Sequence, residues 1–446
     1  MVKKVEEKTP ATSFEIGNCI KADLACVHFN EFSEDIDVFG YPPLPWERDK
    51  QVREDVRHWG LYDDDKLVQY VEQNFFTNVS PDKVMRAFRI IAHEQSYHPI
   101  RDYLTSLESK WDGKERCGKL LQKYFGAKDS PYVQEAMLVT LKAAVARAYK
   151  PGTKFDTMLV LIGSQGCGKS TFCRNLAELA LGAGFFSDSL SMSDTRDKTA
   201  AEKLLGSWII ELAEADGGIT RTDVQYTKQF LSSCDDKFRA SYAPRATHHP
   251  RQCIFIGTTN SDSFLRDDTG NRRFFPIQCP GVPTPDGTPL AFSMTKEEVD
   301  QIWAEAVVKY FENPSLTLSQ EARREAEQAQ RDALDTDDRE GVVEEFLKTL
   351  LPVNWEKWTT EDRRNWLKYR NYGQYRNVPG TEERKCVCTE EIWQECLGND
   401  TSTIPQRDSR AIKRILLKLG WRAESTKRTV PLYGRQWCFF PFSPEN

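Results

Sequence analysis

Residues 163–171 read Gly-Ser-Gln-Gly-Cys-Gly-Lys-Ser-Thr, a glycine-rich run closing on a lysine and two hydroxyls. The spacing Gly163-x4-Gly168-Lys169-Ser170 suits one task, holding a chain of phosphates. Gly163, Gly166 and Gly168 let the backbone curl until its N–H groups converge on one anion. Ser164, Gln165, Cys167 and Thr171 complete the cradle. Lys169 brings positive charge to the β- and γ-phosphates, and Ser170 offers a hydroxyl ligand to Mg2+. ATP and Mg2+ are therefore the expected ligands.

Hydrolysis needs more: a carboxylate for the metal, a base for the water, a polar sensor, and a positive charge for the transition state. The run Trp208-Ile209-Ile210-Glu211-Leu212-Ala213-Glu214 supplies two carboxylates. Glu211 is the expected magnesium ligand, directly or through water. Glu214 is the expected residue for polarising the attacking water. A third apolar run, Cys253–Gly257, ends in Thr258-Thr259-Asn260, and the two threonines read as strand-end hydrogen-bonding residues. Arg272 and Arg273 follow; a guanidinium is permanently charged and suits spread phosphate charge.

These residues need elements to aim them. Met158–Ile162 reads as a buried strand ending at the glycines. A helix is expected from Ser170, with Phe172, Leu176, Leu179 and Ala180 inward and its positive end at the phosphates. Upstream, residues 1–18 are polar and read as frayed, and 19–50 as extended or turn-rich around Pro42-Pro43 and Pro45. Leu67, Val68, Val71 and Phe75 mark one helical face. Val84, Ala87, Phe88 and Ile91 mark another after the start signal Ser80-Pro81. A third amphipathic helix is expected over 132–149.

Three long stretches carry a resemblance: YHPIRDYLTSLESKWDGKERCGKLL, PGTKFDTMLVLIGSQGCGKSTF and CIFIGTTNSDSFLRDDTGNRRFFPI. Together they resemble the virulence-associated protein E family, encoded by phages, phage satellites and other mobile elements. The likeness runs from about residue 25 to about 310. It implies an α/β fold: a three-layer P-loop core of the AAA+ type, similar to superfamily 3 helicases. It also implies the pattern Glu-x-x-Glu where AAA+ proteins have adjacent Asp-Glu, which leaves open how Glu211 and Glu214 divide their roles. Asn260 matches the sensor asparagine, able to bond the γ-phosphate or orient the water. Arg272 or Arg273 would be the finger entering a neighbouring subunit's site, with the other pairing to Asp267 or Asp268. A hairpin between the second and third core strands would project basic residues into a ring's pore.

The stretch 237–251 fits that hairpin, with Lys237, Arg239, Arg245 and Arg251, interleaved Tyr242, His248 and His249, and no acid. Lys237, Arg239 and Arg245 are the candidate contacts to the DNA backbone, electrostatic and sequence-blind. The whole chain is acidic, with a net charge of −6, so this basicity is local.

With 446 residues, 39% hydrophobic and 29% charged, the chain is globular and large enough for several domains. We divide it into an irregular N-terminal segment (1–50), a helical collar (51–150), the ATPase core (151–285), a helical layer or linker (286–350) and a C-terminal domain (351–446). Residues 351–380 hold many Trp, Tyr and Arg residues without a period. From Cys388 a winged-helix-like pattern is expected. Thr389 would cap a short helix and Asp408 a second one, with Ile412, Ile415, Leu416 and Leu419 inward. The outer face would carry Arg407, Arg410, Lys413, Arg414 and Lys418, and a wing would turn at Pro431–Gly434. No membrane span or signal core is evident, which predicts a cytoplasmic protein. The scattered cysteines, including Cys386, Cys388 and Cys396, lack zinc-ligand spacing.

The expected function is an ATP-dependent, hexameric DNA helicase or translocase of superfamily 3 type, serving replication of a mobile element. The rival is a DNA-binding replication initiator that uses ATP as a switch and does not unwind. A P-loop small-molecule kinase is disfavoured, because it needs no sensor asparagine followed by paired arginines.

Overall fold

The computed structural model describes residues 11–47, 56–196, 198–213, 221–238, 246–265, 270–334, 339–399 and 403–441. Two compact units divide after Leu334, inside the segment 286–350.

The first unit opens with helix α1 (Ser13–Ile20). Residues 11–18 are not frayed: Thr12 Oγ1 accepts from the Glu15 N–H while the Glu15 carboxylate accepts from the Thr12 N–H. That reciprocal cap satisfies donors at the helix start that polarity alone does not reveal. Nor is 19–50 merely extended. Strands β1 (Val27–Asn30) and β2 (Asp35–Val38) pair antiparallel, and β3 (Arg57–His58) joins β2. Helices α2 (Leu61–Asn74) and α3 (Pro81–Glu94) close over them, burying Leu67, Val71, Val84, Ala87, Phe88 and Ile91 in one core with Ile16 and Ile20.

Helices α4 (Pro99–Leu107), α5 (Leu120–Phe125) and α6 (Pro131–Tyr149) pack elsewhere, on the central sheet. His98 caps α4, its Nδ1 accepting from the Arg101 N–H. Helix α6 corrects the amphipathic reading of 132–149: every residue from Val139 to Ala148 is buried. It lies between the sheet and later helices, so it has no solvent face to be polar on. Its fully buried Arg147 donates to the carbonyls of Thr153, Phe155 and Cys253.

The central sheet takes its strands in chain order as β4 (Met158–Ile162), β5 (Phe186–Ser191), β6 (Ile209–Ala213), β9 (Ile254–Thr259) and β10 (Phe274–Gln278), with α7 (Lys169–Leu181) after β4. Between β6 and β9 come α8 (Arg221–Ser232) and an antiparallel hairpin of β7 (Asp235–Phe238) and β8 (Thr247–Pro250). The spatial order is β10-β4-β9-β6-β5, all parallel. Alternation along the strands divides two cores. Leu159, Leu161, Ile209 and Ile256 face α4–α7, while Val160, Ile162, Ile210 and Phe255 face α8 and the chain around Phe264. The outcome is a parallel sheet flanked by helices, the arrangement of a P-loop ATPase core.

Helices α9 (Lys296–Glu312) and α10 (Gln320–Asp332) belong to this unit. Buried Trp303 of α9 stacks on Trp208, ring centroids 4.1 Å apart.

The second unit contains α11 (Arg339–Lys348), α12 (Thr360–Tyr369), β11 (Val387–Cys388), α13 (Thr389–Glu391), α14 (Gln406–Lys418), β12 (Trp421–Val430) and β13 (Gly434–Pro441). The strands form an antiparallel sheet ordered β11-β13-β12. Ile412, Ile415 and Leu416 are buried against Val343, Phe346 and Phe439. Two caps are corrected. Helix α14 starts at Gln406 rather than after Asp408, whose carboxylate pairs with Arg339 at 2.9 Å. Cys388, not Thr389, is the N-cap of α13, which runs on through a π turn to Cys396. The aperiodic stretch 351–380 holds α12 and a cluster of Trp355, Trp358 and Trp366. Nearby, Arg363 pairs with Glu395 and Arg384 with Glu391, all buried.

Candidate active site

Strand β4 ends at Ile162, and the phosphate loop crosses the C-terminal edge of the sheet before α7 begins at Lys169. Open parallel sheets place ligands at this edge. The glycines serve two needs. A Cβ on Gly163 would sit 2.3 Å from the Cys279 carbonyl oxygen, so only glycine lets β4 pass so close to the chain leaving β10. Gly166 and Gly168 have φ of 81° and 91°, which disfavours a side chain. Burial pushes the neighbouring Cys279 thiol up to about 12.

Lys169 is 7% exposed. Its Nζ donates to the carbonyls of Gly163 (2.6 Å) and Ser164 (2.9 Å), and to Asn260 Oδ1 (3.2 Å). One ammonium thus bridges the loop and the end of β9. Ser164 and Gln165 are exposed on the loop and Ser170 at the start of α7, while Cys167 and Thr171 are half-buried.

Glu211 lies on β6, separated from β4 by β9. It is 2% exposed. Its Oε1 accepts from Ser170 Oγ at 2.8 Å and Thr258 Oγ1 at 2.6 Å, and its Oε2 has no partner. A carboxylate oxygen buried without a partner is costly unless a cation completes it. The donor set, one carboxylate and one hydroxyl, fits a hard divalent ion such as Mg2+.

Residues 165–171, Glu211, Ala213, Thr258–Asn260 and Phe292 line one cavity of ≈ 460 Å³. The structure therefore gathers Lys169, Ser170, Glu211 and Asn260. Glu214 lies outside the described residues. Thr258 is the strand-end hydrogen-bonding residue expected from sequence; its partner, the buried Glu211 carboxylate, follows from the sheet register that aligns Ala213 with Thr258. One residue escapes sequence reasoning. Phe292, 62% exposed at the cavity rim, follows the core by a loop that carries no motif.

The arginines lie at the other end of the sheet. Phe274 aligns with Met158, the first residue of β4, whereas the loop follows Ile162, its last. Five residues of strand, roughly 16 Å, separate the arginines from the phosphate loop along β4. Arg272 is exposed; Arg273 is half-buried, with its Nε donating to Ser232 Oγ at 2.8 Å and 3.8 Å from the Asp156 carboxylate. Asp267 and Asp268 lie outside the described residues.

The hairpin occurs between β6 and β9, but much of its apparent basicity is spent within the fold. Arg251 is 3% exposed and paired to Asp236, His249 contacts Glu34 at 2.8 Å, and His248 contacts Asp235 at 2.5 Å. The acids lie just before the run or far upstream, which is why 237–251 alone looks uniformly basic. Lys237 is exposed on β7; Arg239, Tyr242 and Arg245 lie outside the described residues. Among the described residues no helix is long and apolar enough to cross a membrane.

Two solved apo structures of the NrS-1 C-terminal region are similar to this chain. One, of residues 305–718, has a TM-score of 0.49 and 14% identity, covering 98% of this chain and 100% of that one. The other, an A form, has a TM-score of 0.49 and 12% identity, covering 97% and 100%. No curated protein matches. The virulence-associated protein E-like domain matches residues 104–335, more than half of the chain and the whole of the sheet and its loop. The chain belongs to the virulence-associated protein E-like family.

Proposed function

We propose that this protein is an ATP-driven DNA helicase or translocase of superfamily 3 type, working as a ring, six subunits by the family likeness, in the replication of a mobile element. Lys169 and the loop N–H groups bind and orient the triphosphate. Ser170 and Glu211 would hold Mg2+, which when bound offsets charge on the phosphates. Thr258 fixes the Glu211 carboxylate, Asn260 senses the γ-phosphate, and Glu214 polarises the water. Lys237, Arg239 and Arg245 follow the DNA strand. The five domains read from sequence, including the collar and the winged-helix-like C-terminal domain, belong to the same proposal.

One observation carries this reading. The arginine pair stands at the sheet edge opposite its own phosphate loop, so exposed Arg272 has a use in catalysis only at a neighbouring copy's triphosphate. A kinase needs no such separation. The initiator reading keeps one supporting observation: Arg410, Lys413 and Arg414 are exposed on α14, a face suited to duplex phosphates. ATPase assays with and without single-stranded DNA, together with strand displacement on a forked duplex, separate the two. DNA-stimulated turnover with displacement supports the motor; stimulation without displacement supports the initiator.

A further inference from the structure

The chain leaving β10 returns across the phosphate loop and ends in a short 3-10 turn, Leu290–Ser293. The return is tight. A Cβ on Gly168 would sit 2.9 Å from Pro289 Cβ and 3.2 Å from Ala291 Cβ. Asn175 of α7 donates to the Ala291 carbonyl at 2.7 Å, fastening the turn to the helix that starts at the loop. Ala291 is fully buried, yet Phe292 beside it is 62% exposed. It lines the cavity that also contains Lys169, Ser170, Thr171 and Glu211. A large aromatic ring held in water by a fastened turn is an unmet apolar surface.

Resting on the triphosphate reading above, we infer that Phe292 is the platform on which the nucleobase of the bound triphosphate stacks. The phosphates occupy the loop, with Lys169 and Glu211 at the inner end. Thr171 and Phe292 line the same cavity, and among the described residues Phe292 is its one aromatic lining residue. Stacking uses the face of the base, so it recognises a nucleoside rather than one hydrogen-bonding edge. Leu290, at the start of the same turn, lines a second cavity with Tyr124, Val282, Pro289 and residues 164–167 of the phosphate loop. That cavity is the competing place for the base, and Leu290 tests it.

The test compares Mg-ATP with Mg-tripolyphosphate, which has the phosphates and no base, by calorimetric titration of the full chain. Phe292→Ala is expected to weaken ATP binding about tenfold, in line with the loss of one base–aromatic stack. Its affinity for tripolyphosphate should match wild type. Phe292→Trp should restore ATP binding, and Leu290→Ala should leave both ligands unchanged. Unaltered ATP affinity in Phe292→Ala overturns the inference, as does equal weakening of both ligands, which would make the turn a support for the loop. Selective loss of ATP in Leu290→Ala would move the base to the other cavity. Wild-type protein that binds neither ligand would instead sink the triphosphate reading itself.

Discussion

Arg273 Nε donates to Ser232 Oγ at 2.8 Å, tying the arginine segment to the last residue of α8. Strand β7 of the hairpin begins three residues later. The clamp is reinforced from beneath: Lys154 Nζ donates to the Ser232 carbonyl at 2.7 Å, and Arg251 Nη1 to the Phe230 carbonyl. The segment that would sense a neighbour's nucleotide is thus fastened to the root of the arm that would touch DNA.

Ser232→Ala removes two hydrogen bonds, the one accepted from Arg273 Nε and the one donated to the Lys228 carbonyl at 2.7 Å, about 1 kcal/mol each, and should leave folding and nucleotide affinity intact. The expected change is in coupling: less strand displaced per ATP hydrolysed, measured on one forked substrate in parallel assays. An unchanged ratio would show that the clamp is merely structural.

The Glu211 cluster makes a graded prediction. Glu211→Gln keeps an acceptor for Ser170 and Thr258 but removes the charge, so turnover should fall roughly a hundredfold while ATP still binds. Thr258→Val keeps the buried shape and deletes one bond to a charged group, worth about 1.5 kcal/mol, or roughly tenfold in turnover. Both variants should need more Mg2+ for half-maximal rate. A normal magnesium titration in both would remove Glu211 from the metal site.

How much of this was legible beforehand depends on how local each signal is. The phosphate loop, its strand and its helix are contiguous in the chain, and glycine spacing with apolar periodicity specifies them directly. The role of Thr258 is set by strand register, and the Phe292 position by a return loop; neither leaves a periodic trace. Helix α6 misled because apolar residues on all sides resemble a broad stripe until the layers on both sides are seen. The hairpin misled in the opposite sense: Arg251, His248 and His249 look free in sequence, whereas their acids Asp236, Asp235 and Glu34 lie outside the window that looks basic.

The C-terminal unit should respond to pH through Glu391. Burial pushes its carboxyl up from 4.5 to about 7, with the Arg384 guanidinium opposing and Glu395 adding to the rise. A raised carboxyl means the folded state holds its proton more tightly than the unfolded chain. That stabilisation is complete below about pH 4.5 and is lost as pH climbs through about 7. Glu391→Gln cannot titrate, so its thermal stability should decline less than wild type between pH 5 and pH 8, whatever its absolute value. Parallel pH profiles for the two proteins would show that Glu391 stays ionised in the fold.

Arg272 gives the sharpest test of a site shared between copies. Arg272 precedes the strand end away from its own loop; on the shared-site proposal, Arg272→Ala should bind ATP normally and lose turnover by roughly a thousandfold, the range seen when a finger arginine is absent. Lys169→Ala should fail for the opposite reason, having a sound arginine and a loop that cannot hold the phosphates. Mixed, the two inactive proteins can place an intact loop from the Arg272→Ala copy against an intact arginine from the Lys169→Ala copy. ATPase activity should then appear in the mixture, rise to a maximum at intermediate ratios, and vanish on dilution. If Arg272→Ala turns over ATP at the wild-type rate as a single subunit, the phosphate loop needs no neighbour and the ring mechanism fails. If it is inactive but no mixture recovers activity under conditions where the copies assemble, the arginine supports its own subunit's fold rather than a partner's chemistry.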